Sequence, residues 1–311
     1  SGKGGVGKST VAANLAIAAT KFGAYALTGS AAMLTEAIHS VVDTGNQAFL
    51  LYGQSRAKRA PSESHPFGYG MELYFWAFIV ALMIFALGGA VSVWEGIDRL
   101  AHPAPIERPW INFAVLGAAI AMESASFRVA WTEYRKIAGD AGFFLFLRGS
   151  KDPNLFAILL EDLAALAGLV IAFLGVLLST LGWHAADGVA SIGIGLLLIV
   201  VAVFLANETR SLIAGEAASP RVLARVKTAL EDDPAVVSTA EILSLHLGPS
   251  EILFAITLDF DDALSGPEIE AAADRLTADI AALDERITRV FLRPGKAPAG
   301  GPAGLGMAAG A

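Results

Sequence analysis

The sequence predicts a mainly α-helical membrane protein, six transmembrane helices followed by a small cytoplasmic α+β ferredoxin-like domain. Three observations predict it. The 311 residues are 55% hydrophobic and 17% charged, with mean hydropathy +0.58, too apolar for an ordinary water-soluble domain. Apolar segments of about 20 residues recur as far as Ala206, each long enough to cross a bilayer. Beyond Ser211 the pattern changes to amphipathic helix and alternating strand.

Charge and cysteine content narrow the chemistry. The net charge is -8 from 22 basic and 30 acidic residues, and the acids concentrate after residue 215, so no nucleic-acid partner is expected. With no cysteine there are no disulfides and no thiolate ligands, which leaves metal chemistry to histidine and carboxylates. The N-terminus is a glycine-lysine run without an apolar core, so a cleavable signal peptide is not expected.

Residues 1–10, SGKGGVGKST, match the phosphate-loop pattern G-x-x-x-x-G-K-[ST] through Gly2, Gly7, Lys8 and Ser9, and with Lys3 resemble the variant loop of ParA and Mrp-like ATPases. Such a loop needs a preceding strand to aim it and a following parallel sheet that supplies a magnesium-binding aspartate. Apolar spans follow here instead. These residues are read as a basic lead-in to the first span, with an ATP-dependent fusion as the rival account.

Val11 to Thr28 is the first apolar segment, interrupted by Lys21; after Gly29-Ser30 the second runs from Ala31 to Tyr52. Gly53 to Gly70 is a polar loop holding Arg56, Lys58, Arg59 and His65-Pro66-Phe67-Gly68-Tyr69-Gly70. Leu73 to Trp94 is the third span, led by the interfacial aromatics Tyr74, Phe75 and Trp76. A loop with Pro103, Pro105 and Pro109 leads to the fourth, Trp110 to Tyr134; Leu155 to Leu181 and Ala185 to Ala206 are the fifth and sixth. An even number of spans puts both termini on one side. Lys3, Lys8, Arg56, Lys58, Arg59, Arg135, Lys136, Arg148, Lys151 and Arg210 fall in one set of loops, and Arg99 and Arg108 in the other, so the richer side is cytoplasmic. The domains expected are a lead-in (1–10), a membrane domain (11–213), a ferredoxin-like domain (214–294) and a disordered Gly/Ala/Pro tail (295–311). Within the third of these, helices are expected at Pro220–Leu230 and Pro267–Leu283, and strands at Thr239–Leu247, Leu253–Phe260 and Arg286–Leu292.

Chemistry concentrates on the second span, in Glu36-Ala-Ile-His39-Ser40-Val-Val-Asp43-Thr-Gly-Asn46-Gln47. At about 3.6 residues per turn, positions 36, 39, 40, 43, 46 and 47 fall within roughly a third of the circumference. An ionisable group inside a span costs about 2.5 to 3.5 kcal/mol, so this stripe points inward. His39 and Asp43, one turn apart, can reach the same small cation; a buried polar pair satisfied by a neighbouring helix gives the same pattern. The fifth span carries Glu161 and Asp162 between apolar flanks, beside small residues that allow close helix approach. The economical inference brings His39, Asp43 and Asp162 around one divalent cation, with Glu161 or a water as fourth ligand. Glu161 is the weaker candidate because adjacent helical residues diverge by about 100°.

TGSAAMLTEAIHSVVDTGNQ, HPFGYGMELYFWAFIVA, SVWEGI, GWHAADGVASIGIG and SLIAGEA, in this order, resemble the cation diffusion facilitator (cation efflux) family, and its zinc-transporter-nine-like branch, from about Ala13 to Pro294. The resemblance implies a homodimeric exporter of Zn2+, with Mn2+, Fe2+, Co2+ or Cd2+ as alternative cargo, driven by proton exchange in a lipid membrane, not an enzyme. It implies ligands at His39, Asp43 and Asp162. Many members place a histidine four residues before the last of these, where this chain has Ile158. His65 matches a second-site residue of some members but faces Tyr69 instead of the usual partner, and is read as structural. The bacterial inner membrane, with both termini cytoplasmic, is the expected location, and a non-transporting metal sensor is the other rival.

Overall fold

The structure, a computed structural model, describes residues 17–103, 106, 108–138, 143 and 153–296; the phosphate-loop-like residues 1–10 lie outside these, as does the tail beyond Lys296. The chain divides into two compact units, Ser1–Arg56 with Glu72–Arg210 and Ala57–Met71 with Ser211–Ala311.

The first unit is helical. Helix α1 covers residues 17–28 and α2 Ala31–Ala57; α3 (Glu72–Ala101), α4 (Pro109–Ala138), α5 (Pro153–Thr180) and α6 (Ala186–Gly215) follow. Four stretches among the described residues are long and apolar enough to cross a membrane: Glu72–Ala101, Pro109–Lys136, Phe156–Thr180 and Ala186–Glu231. Helix α2 has 27 residues, but its polar stripe makes it the least apolar of the long helices after the first. Helix α3 continues past its expected end at Trp94 because Glu95, Asp98 and Arg99 extend it with polar groups, and it contains a wide π-helical segment, Ile84–Ala90. Helix α6 runs beyond Ala206 to Gly215, whose φ of 103° turns the chain out of the helix.

Two devices fix helix α2, which carries the polar stripe. Gly29, with φ of 62°, makes the break from α1. Across the fold, the buried Asp187 carboxylate at the start of α6 accepts from the Ala31 amide at 2.6 Å, the Ala32 amide at 3.4 Å and the Ser30 hydroxyl, and Arg99 of α3 lies 3.7 Å away. A carboxylate here satisfies amides that no helix can satisfy for itself and complements the positive end of the helix dipole. One turn further, Thr35 and Ser191 hydroxyls meet at 2.6 Å, and Ser191 donates to the Ser92 carbonyl at 2.9 Å. Together these contacts set the rotation of α2 about its axis. Helices α3 and α6 meet along a glycine seam: a Cβ on Gly96 would lie 2.7 Å from the Gly188 carbonyl oxygen, and one on Gly195 2.8 Å from that of Gly89. Only backbones without side chains can approach this closely.

The second unit is a helix, two strands, a helix and a strand: α7 (Pro220–Glu231), β1 (Val236–Gly248), β2 (Glu251–Phe260), α8 (Gly266–Leu283) and β3 (Ile287–Pro294). The sheet order is β1-β2-β3, with β1 antiparallel and β3 parallel to β2, as the crossover through α8 requires. Alternation along β2 sends Ile252, Phe254, Ile256, Leu258 and Phe260 into one core with Val226 and Leu230 of α7 and Leu276 and Ile280 of α8. Ser219 caps α7, and Ser265 with Glu268 forms a capping box on α8. Arg286 donates to both oxygens of Asp284 at 2.8 and 2.7 Å, which holds the Asp284 carboxyl down at about 2. The stabilisation this pair contributes is complete above the ordinary aspartate range and is lost only as pH falls towards about 2.

The polar loop 57–71 belongs to this unit. His65 stacks on Tyr69 with ring centroids 4.4 Å apart and its Nδ1 lies 3.0 Å from the Ser64 hydroxyl; Arg289 sits over the Phe67 ring at 5.3 Å. These contacts give His65 a structural role. His246 is buried in β1, with Nδ1 3.4 Å from the Gly248 carbonyl, and Asp261 closes a turn by accepting the Ala263 amide at 2.9 Å.

Candidate metal centre

The stripe read from the spacing of α2 is buried in the structure. Glu36, His39, Ser40 and Asn46 are buried, Asp43 and Gln47 are half-buried, and Val41, off the stripe, is exposed as a lipid-facing residue should be. His39 Nε2 lies 3.4 Å from Asp43 Oδ2. That is ion-pair range without hydrogen-bond alignment, since neither ring nitrogen of His39 has a hydrogen-bond partner among the described residues, nor has Asp43 Oδ1. A buried group left unsatisfied costs about 1 to 3 kcal/mol, and the His39 imidazole is 3% exposed with neither nitrogen hydrogen-bonded among the described residues.

These groups face a cleft of about 170 Å3 inside the helical unit, whose walls also carry Lys21 of α1, Glu123 and Ser126 of α4, and Glu161 and Asp162 of α5. All four residues singled out from the sequence, His39, Asp43, Glu161 and Asp162, therefore meet on one cleft. Asn46 donates to Glu161 Oε1 at 2.9 Å, and Ser126 donates to Asp162 Oδ2 at 3.4 Å. Asp43, Glu123, Glu161 and Asp162 lie within electrostatic range of one another. Such a group of acids repels itself until a cation or protons enter. Among the described residues no three His, Asp or Glu side chains stand close enough together to hold a metal ion as they are.

The sequence reading missed two of the walls. Lys21 read as an interruption of the first span, yet its ammonium bridges to Glu36 at 3.0 Å and to Ser40 at 2.9 Å. Glu123 stands three residues before Ser126, a helical spacing that puts both on one face of α4. That spacing was the available signal. Ile158 is 42% exposed and does not line the cleft, so the polar groups that α5 presents to it are Glu161 and Asp162.

The profile of the cation efflux transmembrane domain matches residues 8–214, which takes in every wall of this cleft. This chain belongs to the cation efflux family. Among its relatives in that family, the mouse (Mus musculus) "Proton-coupled zinc antiporter SLC30A9, mitochondrial" is 36% identical over 244 residues, 78% of this chain and 43% of the relative. "Metal tolerance protein C4" of Arabidopsis thaliana is 33% identical over 251 residues, 80% of this chain and 55% of the relative. "Zinc transporter ZitB" of Escherichia coli (strain K12) is 29% identical over 180 residues, 56% of this chain and 50% of the relative. This cation efflux chain thus spans about half the length of the curated relatives it matches.

Proposed function

We propose that this chain is a divalent cation exporter, with zinc as cargo, that exchanges metal for protons by alternating access. The observation that carries the reading is the cleft where His39 and Asp43 of α2, 3.4 Å apart and with no hydrogen bond to either His39 nitrogen among the described residues, share the walls with Asp162 of α5. The names of the relatives, a proton-coupled zinc antiporter and a zinc transporter, support zinc over manganese, iron, cobalt or cadmium. His39, Asp43 and Asp162 bind the ion. Glu161, tied to Asn46, or a water completes the set, and Glu123 offers a further carboxylate from α4.

The coupling is chemical. Metal requires a neutral imidazole and ionised carboxylates, so protons arriving at the same atoms weaken binding and drive release on the acidic side. Six spans, α1 to α6 within residues 11–213, carry the cleft through a bacterial inner membrane, with the 214–294 domain and both termini on the cytoplasmic side richer in lysine and arginine. The chain works as a homodimer. Supporting this, Leu243 and Phe291, 50% and 53% exposed, line up across Ala255 on the outer face of the sheet. Leu243→Glu with Phe291→Glu should convert a dimer to a monomer in light scattering; an unchanged mass removes that face from the dimer.

Zinc flux into proteoliposomes tests the function. An imposed pH gradient should drive zinc accumulation without ATP, and Lys8→Ala should leave the rate unchanged. Zinc binding without flux makes the chain a sensor, and flux that needs ATP and Lys8 makes the phosphate-loop reading correct.

A further inference from the structure

Lys21 lies on α1 with 4% of its surface exposed, where an unpaired ammonium would be costly. Its Nζ donates to Glu36 Oε2 at 3.0 Å, to Ser40 Oγ at 2.9 Å and, at the limit of range, to the Glu36 carbonyl at 3.5 Å. An ammonium has three N–H donors, so all of them are committed to α2. Lys21 and Ser40 line the cleft that holds His39, Asp43 and Asp162, whereas Glu36 is wholly buried and does not line it. Lys21 thus touches both the cleft and the Glu36 carboxylate. The second Glu36 oxygen, Oε1, has no hydrogen-bond partner among the described residues and rests against Gly168 of α5, where an added Cβ would come within 2.9 Å of it.

We propose that Lys21 sets the affinity of the metal site: a tethered cation that neutralises Glu36, keeps that carboxylate out of the coordinating set, and holds a positive charge beside the cargo so that bound metal can leave. The inference rests on reading His39 and Asp43 as ligands. A divalent ion held by neutral His39 with ionised Asp43 and Asp162 and a water is charge-balanced by those ligands. Freeing Glu36, which stands one turn before His39 and Ser40 on the same stripe, adds a negative charge that binds the ion tightly and slows its release. A clamp that only tied α1 to α2 would behave differently, since loss of either partner would then loosen the fold and weaken metal binding alike.

The test is calorimetric titration of the purified full chain with Zn2+, comparing wild type with Lys21→Gln, Glu36→Gln and the double variant, beside zinc flux in proteoliposomes. Lys21→Gln should lower Kd at least about tenfold, because it removes a unit positive charge that repels the divalent ion from the wall of the same cleft. It should lower KM for flux and kcat with it. Glu36→Gln, which leaves the ammonium without its carboxylate, should raise Kd by a similar factor, and the double variant should return to within about threefold of wild type. If Lys21→Gln does not accumulate, Glu36→Gln and the double variant decide the matter by the same opposition. Single variants that shift Kd in the same direction, or not at all, overturn the role of Lys21. Should His39→Ala bind zinc as tightly as wild type, the underlying site reading fails instead.

Discussion

Replacing His39 by alanine should weaken zinc binding at least about a hundredfold, and Asp43→Ala should match it, because in the proposed function each is a direct ligand, and even a supporting partner is worth about 10- to 100-fold. Neither change should cost much stability. The His39 nitrogens make no hydrogen bond among the described residues, so their removal breaks none, and half-buried Asp43 loses only a 3.4 Å ion-pair contact. In chelator, thermal unfolding of His39→Ala should stay within a few degrees of wild type, separating lost binding from lost folding. His102→Ala serves as control, since that side chain is 77% exposed at the end of α3. Lowering the pH should weaken wild-type binding in the same sense as the substitutions, because protons compete for imidazole and carboxylate alike. A variant without His39 that retains wild-type affinity would contradict the assignment.

The second large effect lies away from the cleft. Asp187→Ala should destabilise the metal-free protein by about 3 to 5 kcal/mol, the usual consequence of removing one member of a buried charged network. It strips the acceptor from the Ala31 and Ala32 amides and the Ser30 hydroxyl, and takes a carboxylate from beside Arg99. Asp187→Asn should fall between, keeping the shape and one acceptor oxygen but losing the charge. Because α2 then loses the contacts that set its rotation, zinc affinity should fall with stability, unlike in His39→Ala. Thermal unfolding in detergent checks this; an Asp187→Ala protein that unfolds at the wild-type temperature would show that the α2 terminus is satisfied by other means.

Local order was legible in the sequence wherever a single element carried the signal. The α2 stripe followed from 3.6-residue periodicity, and the acids of α5 from their apolar flanks. The strands of the C-terminal module followed from alternation, although β1 begins at Val236, before the expected Thr239, because it continues pairing as far as Phe260. What depended on distant partners could not be read this way. Asp187 appeared as one residue of a glycine-rich run; that it anchors Ala31, 156 positions away, is a fact of packing. Lys21 looked like a flaw in the first span because its partner, Glu36, belongs to the next helix. Glu123 and Ser126 share a face of α4 by their spacing, but that this face meets Asp162 of α5 on the cleft is again a fact of packing. The boundaries of α3 and α6 ran longer than hydropathy indicated, since both helices continue with polar turns that hydropathy reads as loop.

In the proposed function one ion meets an imidazole from α2 and a carboxylate from α5. The most direct measurement is the zinc anomalous signal in a structure of the zinc-loaded chain, collected on both sides of the absorption edge. A single peak is expected in the cleft, about 2.0 to 2.2 Å from a His39 nitrogen and from oxygens of Asp43 and Asp162. A peak elsewhere in the chain, with His39 still without a ligand, would contradict it.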